Sequence, residues 1–133
     1  TRVRSSAASD VYKRQVAYGM NDVGFFDVEE YVKQTRRILD TVGDAAEVLL
    51  VSSTLGNAEW QYTPREKFFI FRDALQGLCG PGIALADMTQ LWADMLKVKA
   101  YHDLTGNGVN HPNDFGHRTM ASALMDVFGI GAR

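Results

Sequence analysis

The sequence predicts an α/β protein built around a parallel sheet, and two observations carry this prediction. Short apolar runs alternate with amphipathic, helix-like segments in the order strand, helix, strand, helix, strand, helix. The run Val48-Leu49-Leu50-Val51 is apolar at every position, which is typical of a strand covered on both faces. Together these features indicate a doubly wound sheet in a single domain, without an internal repeat or linker.

Turn and capping residues separate the first predicted strand, the first predicted helix and the second predicted strand. An apolar run over residues 16–18 stops at Gly19-Met20-Asn21-Asp22, where Gly and Asn/Asp favour a turn. Asp27 is expected to cap an amphipathic helix that extends to about Thr41 and ends around Gly43. The second strand follows at residues 48–51.

The second half repeats the pattern. Pro64 opens a predicted helix over residues 64–78, whose aromatic group Phe68, Phe69 and Phe71 is expected in the core. A third strand at residues 83–86 ends at Asp87, which is expected to cap a helix over residues 88–98. An irregular stretch then leads to a last helix over residues 113–128.

The first fifteen residues, TRVRSSAASDVYKRQ, differ from the rest of the chain. They are basic and rich in Ser and Ala, and they resemble translated library-adaptor sequence at the edge of a metagenomic reading frame. We therefore predict a non-native tail over residues 1–15 and a partial domain over residues 16–133. Without the tail, the chain carries ten basic and fifteen acidic side chains.

Composition excludes several classes of protein. The 133 residues are 46% hydrophobic and 23% charged, which is the balance of one globular domain, and the formal net charge is −2. This charge does not favour a nucleic-acid partner, and no apolar run is long enough to predict a membrane span. The single cysteine, Cys79, is interpreted as structural.

Two polar clusters are the candidates for chemistry. Gly19-Met20-Asn21-Asp22 directly follows the first strand, and ligands of open parallel sheets bind at the carboxyl ends of the strands. The amide of Asn21 is suited to stabilise an oxyanion, although the cluster alone is also typical of a plain turn. The second cluster, residues 108–117, presents His111 just before a helix, as a general base requires.

These clusters resemble two sequence blocks of the SGNH, or GDSL-type, hydrolases. Gly19-x-Asn21-Asp22 matches the third block, and Asn110-His111-Pro112-Asn113-Asp114-x-Gly116-His117 is similar to the fifth block, which carries the catalytic histidine. The blocks occur in the right order, about 90 residues apart, and the resemblance covers about 118 residues to the end of the chain.

The resemblance implies a serine esterase on a three-layer α/β/α, flavodoxin-like SGNH hydrolase fold, here with the N-terminal strand and helix missing. His111 would act as general base and then acid, and Asn21 as an oxyanion donor; Gly19 would only let the turn form. The implied substrate is a small-molecule or carbohydrate ester, such as a carbohydrate O-acetyl ester, with no cofactor or metal. The localisation stays open, with a secreted or periplasmic bacterial enzyme suggested by the family.

Three features depart from the family pattern. The block that carries the nucleophilic serine and the second block, which carries an oxyanion glycine, are both absent. Ser52 and Ser53 are better interpreted as hydrogen-bonding residues at a strand end, so this chain alone is expected to be inactive. Gly108 stands where the family has the aspartate that orients the histidine. Asp103, a backbone carbonyl or a histidine–serine dyad are the alternatives.

Other hypotheses remain open from sequence alone. The chain could be a non-catalytic flavodoxin-like binding domain, in which both clusters are ordinary strand and helix ends. Trp60 and Tyr62 are candidates for an acyl or sugar pocket. A metal-dependent hydrolase is a third possibility, since imidazole and carboxylate groups bind several divalent ions. Its candidate ligands are His102, Asp103, His111, Asp114 and His117.

Overall fold

The computed structural model describes residues 12–62 and 64–129. In this part of the chain, three parallel strands form one sheet in the order β1 (Tyr12–Ala17), β2 (Ala46–Val51) and β3 (Ile83–Ala86). The register places Ala17 beside Val51 and Val51 beside Ala86, so the carboxyl ends of the strands are level. The α/β class and the parallel sheet are confirmed.

The first strand begins earlier than predicted. It starts at Tyr12 instead of Val16, and residues 12–15 pair with residues 46–49 of β2. Ladder hydrogen bonds to β2 hold these residues, and the apolar pattern on which the prediction relied does not record such pairing. The non-native origin of residues 1–15 stays a prediction, and residues 1–11 lie outside the described part.

Within the described residues, five α-helices connect and flank the strands. They are α1 (Asp22–Phe25), α2 (Val28–Val42), α3 (Arg65–Gln76), α4 (Met88–Met95) and α5 (Asp114–Val127). Asp27 and Asp87 cap α2 and α4 as predicted, accepting hydrogen bonds from the backbone N–H groups of Glu30 (2.8 Å) and Gln90 (2.9 Å). The sequence patterns did not predict α1 or the single 3₁₀ turns at Gly43–Ala45 and Tyr101–Asp103.

Two predicted helices are longer than the observed ones. α3 ends at Gln76, because the chain turns at Gly77, before the Gly80-Pro81-Gly82 stop. α4 ends at Met95, and the next residues continue only as hydrogen-bonded turns, with Val98 N–H donating to the Met95 carbonyl. The third strand has the predicted bounds.

Helices cover both faces of the sheet. Val48 and Leu50 of β2 belong to one apolar cluster with Phe68, Phe71 and Trp92 from α3 and α4. The alternate residues, Leu49 and Val51, belong to a second cluster, against which Leu124 of α5 and Phe128 pack. Phe69 is only half-buried. Because β2 is buried on both sides, it forms the centre of the core. No helix in the described ranges is long and apolar enough to cross a membrane.

Candidate active site

A cleft of about 320 Å³ lies at the carboxyl ends of the strands. Asn21 and His111, which are 90 positions apart in the sequence, both line it, together with Ser52, Ser53 and His117. The turn after β1 contributes Asn21, and the loop before α5 contributes His111. The fold therefore brings the two candidate catalytic residues to one cleft at the expected end of the sheet.

The turn that carries Asn21 depends on Gly19. Gly19 has a φ of +130°, and a Cβ atom there would lie 3.0 Å from the Tyr31 hydroxyl. The Asn21 carbonyl accepts hydrogen bonds from the N–H groups of Gly24 (3.0 Å) and Phe25 (3.2 Å) of the short helix α1. Among the described residues, the Asn21 side chain has no hydrogen-bond partner and is exposed, so its amide is available to a ligand.

The loop that carries His111 is organised by one side chain. The Asn107 Oδ1 atom accepts hydrogen bonds from the backbone N–H groups of Val109, Asn110 and His111, each at 3.0 Å. The His111 carbonyl accepts a further bond from the Gly106 N–H at 2.9 Å. The backbone of His111 is therefore held on both sides, while its imidazole remains exposed to the cleft.

A neighbouring loop anchors the His111 loop. Asn57 Nδ2 donates to the Gly108 carbonyl at 2.7 Å, and the Asn57 N–H donates to the Val109 carbonyl at 2.8 Å. The Tyr101 hydroxyl lies 2.7 Å from the Val109 carbonyl and 3.0 Å from that of Leu55. Burial raises the pKa of Tyr101 to about 12, so the phenol remains a neutral donor at ordinary pH.

Sequence reasoning missed Asn57, Tyr101 and Asn107. The signal for Asn107 was present, because Gly106-Asn107-Gly108 has turn composition and Asn side chains often accept from nearby backbone N–H groups. The bond from Asn57 to Gly108 spans 51 positions and the bond from Tyr101 to Leu55 spans 46, so local sequence patterns did not reveal these two contacts.

Asn107→Ala is expected to loosen the His111 loop. Three backbone N–H groups lose their shared acceptor, and we expect their amide hydrogens to exchange at least about tenfold faster, because local opening costs less free energy. Hydrogen exchange followed by NMR measures this at Val109, Asn110 and His111. Asn107→Asp is the matched control, since a carboxylate oxygen also accepts these bonds. Unchanged exchange in Asn107→Ala would contradict the organising role.

Ser52 and Ser53 are engaged in the fold. Ser52 is 2% exposed; its hydroxyl lies 3.3 Å from Asp87 Oδ1 and accepts from the Thr89 N–H at 3.1 Å. The Ser53 hydroxyl donates to the Thr54 carbonyl at 3.0 Å. Asp87 also forms a 2.5 Å ion pair with Arg72. These contacts match the interpretation of both serines as hydrogen-bonding residues at a strand end.

The structure accounts for the glycine at position 108. Gly108 has a φ of +70°, and a Cβ atom there would lie 3.2 Å from the His102 ring. Asp103 accepts a hydrogen bond from the Ala100 N–H at 2.9 Å and so caps its own 3₁₀ turn. Within residues 12–62 and 64–129, no group hydrogen-bonds to the His111 imidazole, and the arrangement is that of a histidine without an orienting carboxylate.

The candidate metal ligands do not converge. In the described part of the chain, no three His, Cys, Asp or Glu side chains form a group that could hold a metal ion. His117 lies in the first turn of α5 and is exposed at the edge of the cleft. The five residues considered as ligands therefore lack a common centre.

Comparison with known proteins adds no assignment. No protein-family model matches the chain, and no curated protein is significantly similar to it. The two motifs and the geometry of the cleft are therefore the basis for the proposed function.

Proposed function

We propose that the chain belongs to a serine esterase of the SGNH type, which hydrolyses a carboxylic ester. The observation that carries the proposal is the presence of Asn21 and His111 in one cleft at the carboxyl ends of the strands. Both side chains are free of other hydrogen bonds within the described residues, as an oxyanion donor and a general base require.

In this mechanism His111 removes the proton of a serine hydroxyl, and the serine oxygen attacks the ester carbonyl. The Asn21 amide donates to the oxyanion of the tetrahedral intermediate. His111 then gives its proton to the departing alcohol. A water molecule, activated in the same way, hydrolyses the acyl-enzyme and regenerates the serine. Without an orienting carboxylate, His111 and the serine act as a dyad.

The nucleophilic serine is proposed to come from sequence beyond these 133 residues. Ser52 and Ser53 are engaged elsewhere, and no described strand lies on the outer side of β1. A further parallel strand at that edge would end beside the turn that carries Asn21, because parallel strands align their carboxyl ends. This is the position from which a serine would reach the cleft.

The proposal is tested with a longer protein, which consists of the residues that the gene encodes upstream of Val16 followed by residues 16–133. We expect it to hydrolyse p-nitrophenyl esters and to be labelled by a fluorophosphonate at an upstream serine, whereas the 133-residue chain does neither. A longer protein that is folded but inert would favour the non-catalytic binding domain. Hydrolysis by the 133-residue chain itself, abolished by His111→Ala, would place the nucleophile within this sequence and contradict the external serine.

A further inference from the structure

A second cavity adjoins the cleft on the side of Asn21. Its volume is about 350 Å³, and Asn21 and Met20 line both it and the cleft. The remaining lining residues are Gly24, Phe25, Trp60 and Tyr62. His111 does not line this cavity. The cavity thus adjoins the cleft at the proposed oxyanion donor, whereas the proposed general base lines the cleft alone.

The lining of this cavity is almost entirely apolar and rich in aromatic rings. Phe25 is 81% exposed and Tyr62 is 61% exposed, although large aromatic side chains gain free energy from burial. Trp60 and Tyr62 meet edge to face, with ring centroids 5.9 Å apart. A cluster of exposed apolar groups around a cavity is typical of a binding site for an apolar ligand.

We propose that this cavity is the acyl-binding pocket of the esterase and that it accepts a medium-chain acyl group such as hexanoyl. The inference rests on the proposed function. In the tetrahedral intermediate, the leaving oxygen must lie within hydrogen-bond reach of His111, because that residue protonates it. The alcohol part of the ester therefore lies on the His111 side of the cleft. The acyl chain then extends into the cavity beside Asn21.

The size and polarity of the cavity select among acyl groups. Its volume equals roughly a dozen water-sized volumes of about 30 Å³ each, so an acetyl group would leave most of it empty. A sugar requires several hydrogen-bonding partners, and the lining offers few polar groups. An apolar chain matches both properties.

The experiment measures binding to the 133-residue chain and needs no nucleophile. Hexanamide, acetamide and N-acetylglucosamine are titrated against the ¹⁵N-labelled protein by NMR. We expect hexanamide to shift the Gly24 amide and Trp60 indole signals saturably, with a Kd at least tenfold lower than that of either other probe. Phe25→Ala and Trp60→Ala should each raise the Kd for hexanamide at least fivefold.

Phe115→Ala is the matched control, since Phe115 is also exposed and does not line the cavity. It should leave the Kd for hexanamide unchanged. Absence of saturable hexanamide binding, or tighter binding of the sugar, overturns the acyl pocket.

A failure of the esterase proposal gives a different result, because the longer protein would then be folded but inactive towards esters. In an active longer protein, Phe25→Ala should lower the ratio of kcat/KM for p-nitrophenyl hexanoate to that for the acetate at least fivefold, and an unchanged ratio overturns the acyl assignment.

Discussion

Replacing His111 by alanine in the longer protein is expected to lower kcat/KM for p-nitrophenyl acetate by about 10³-fold, within the range of general acid–base catalysis. In the proposed mechanism the imidazole removes the serine proton and later protonates the alcohol. Among the described residues, His111 is the histidine in the loop that Asn107 organises. Steady-state kinetics of the purified variant measure the loss. Because His111 is exposed, the free energy of unfolding should change little.

His102→Ala is the control for this prediction. His102 is also an exposed histidine, and it does not line the cleft. We expect its kcat/KM to remain within about threefold of the original value, in the range typical of surface substitutions. Equal losses of kcat/KM in the two variants, or full activity of the His111→Ala protein, would show that His111 is not the general base.

Gly116→Ala is expected to destabilise the protein and to disturb the site. A Cβ atom at position 116 would lie 2.5 Å from the Leu104 carbonyl oxygen, 3.0 Å from Pro112 Cβ and 3.1 Å from the Trp92 ring. Alanine favours a helix over glycine by about 1 kcal/mol, but a contact this close with the backbone forces the helix or the loop to move. We expect a net loss of about 2 kcal/mol in the free energy of unfolding.

The same substitution tests how α5 positions His111. Pro112 directly follows His111, and a displacement of about 1 Å at a reacting group can cost about 10²-fold in rate. Denaturant unfolding and the kinetics of the longer protein measure the two effects. Gly80→Ala is the matched control, because no heavy atom beyond Gly80 and its two chain neighbours lies within 4 Å of a Cβ atom at that position. A Gly116→Ala protein as stable as the original would show that the close approach is dispensable.

The sequence predicted which residues line the candidate site, but not the contacts that hold the His111 loop in place. Asn21 and His111 were recognised because turn residues after a strand and a histidine before a helix are local patterns. Their presence in one cleft agrees with the general rule for parallel sheets. The anchoring of the His111 loop by Asn57 was not predictable, because the bond from Asn57 to Gly108 joins residues 51 positions apart.

The sequence by itself determined the alternation of strands and helices, the caps at Asp27 and Asp87, and the apolar centre of the sheet at residues 48–51. These features follow from hydrophobic periodicity and from hydrogen bonds between residues a few positions apart. The tertiary structure alone decided the start of β1, the close contact at Gly116 and the apolar cavity beside Asn21. Each of these depends on contacts between segments distant in the chain, which local sequence patterns do not encode.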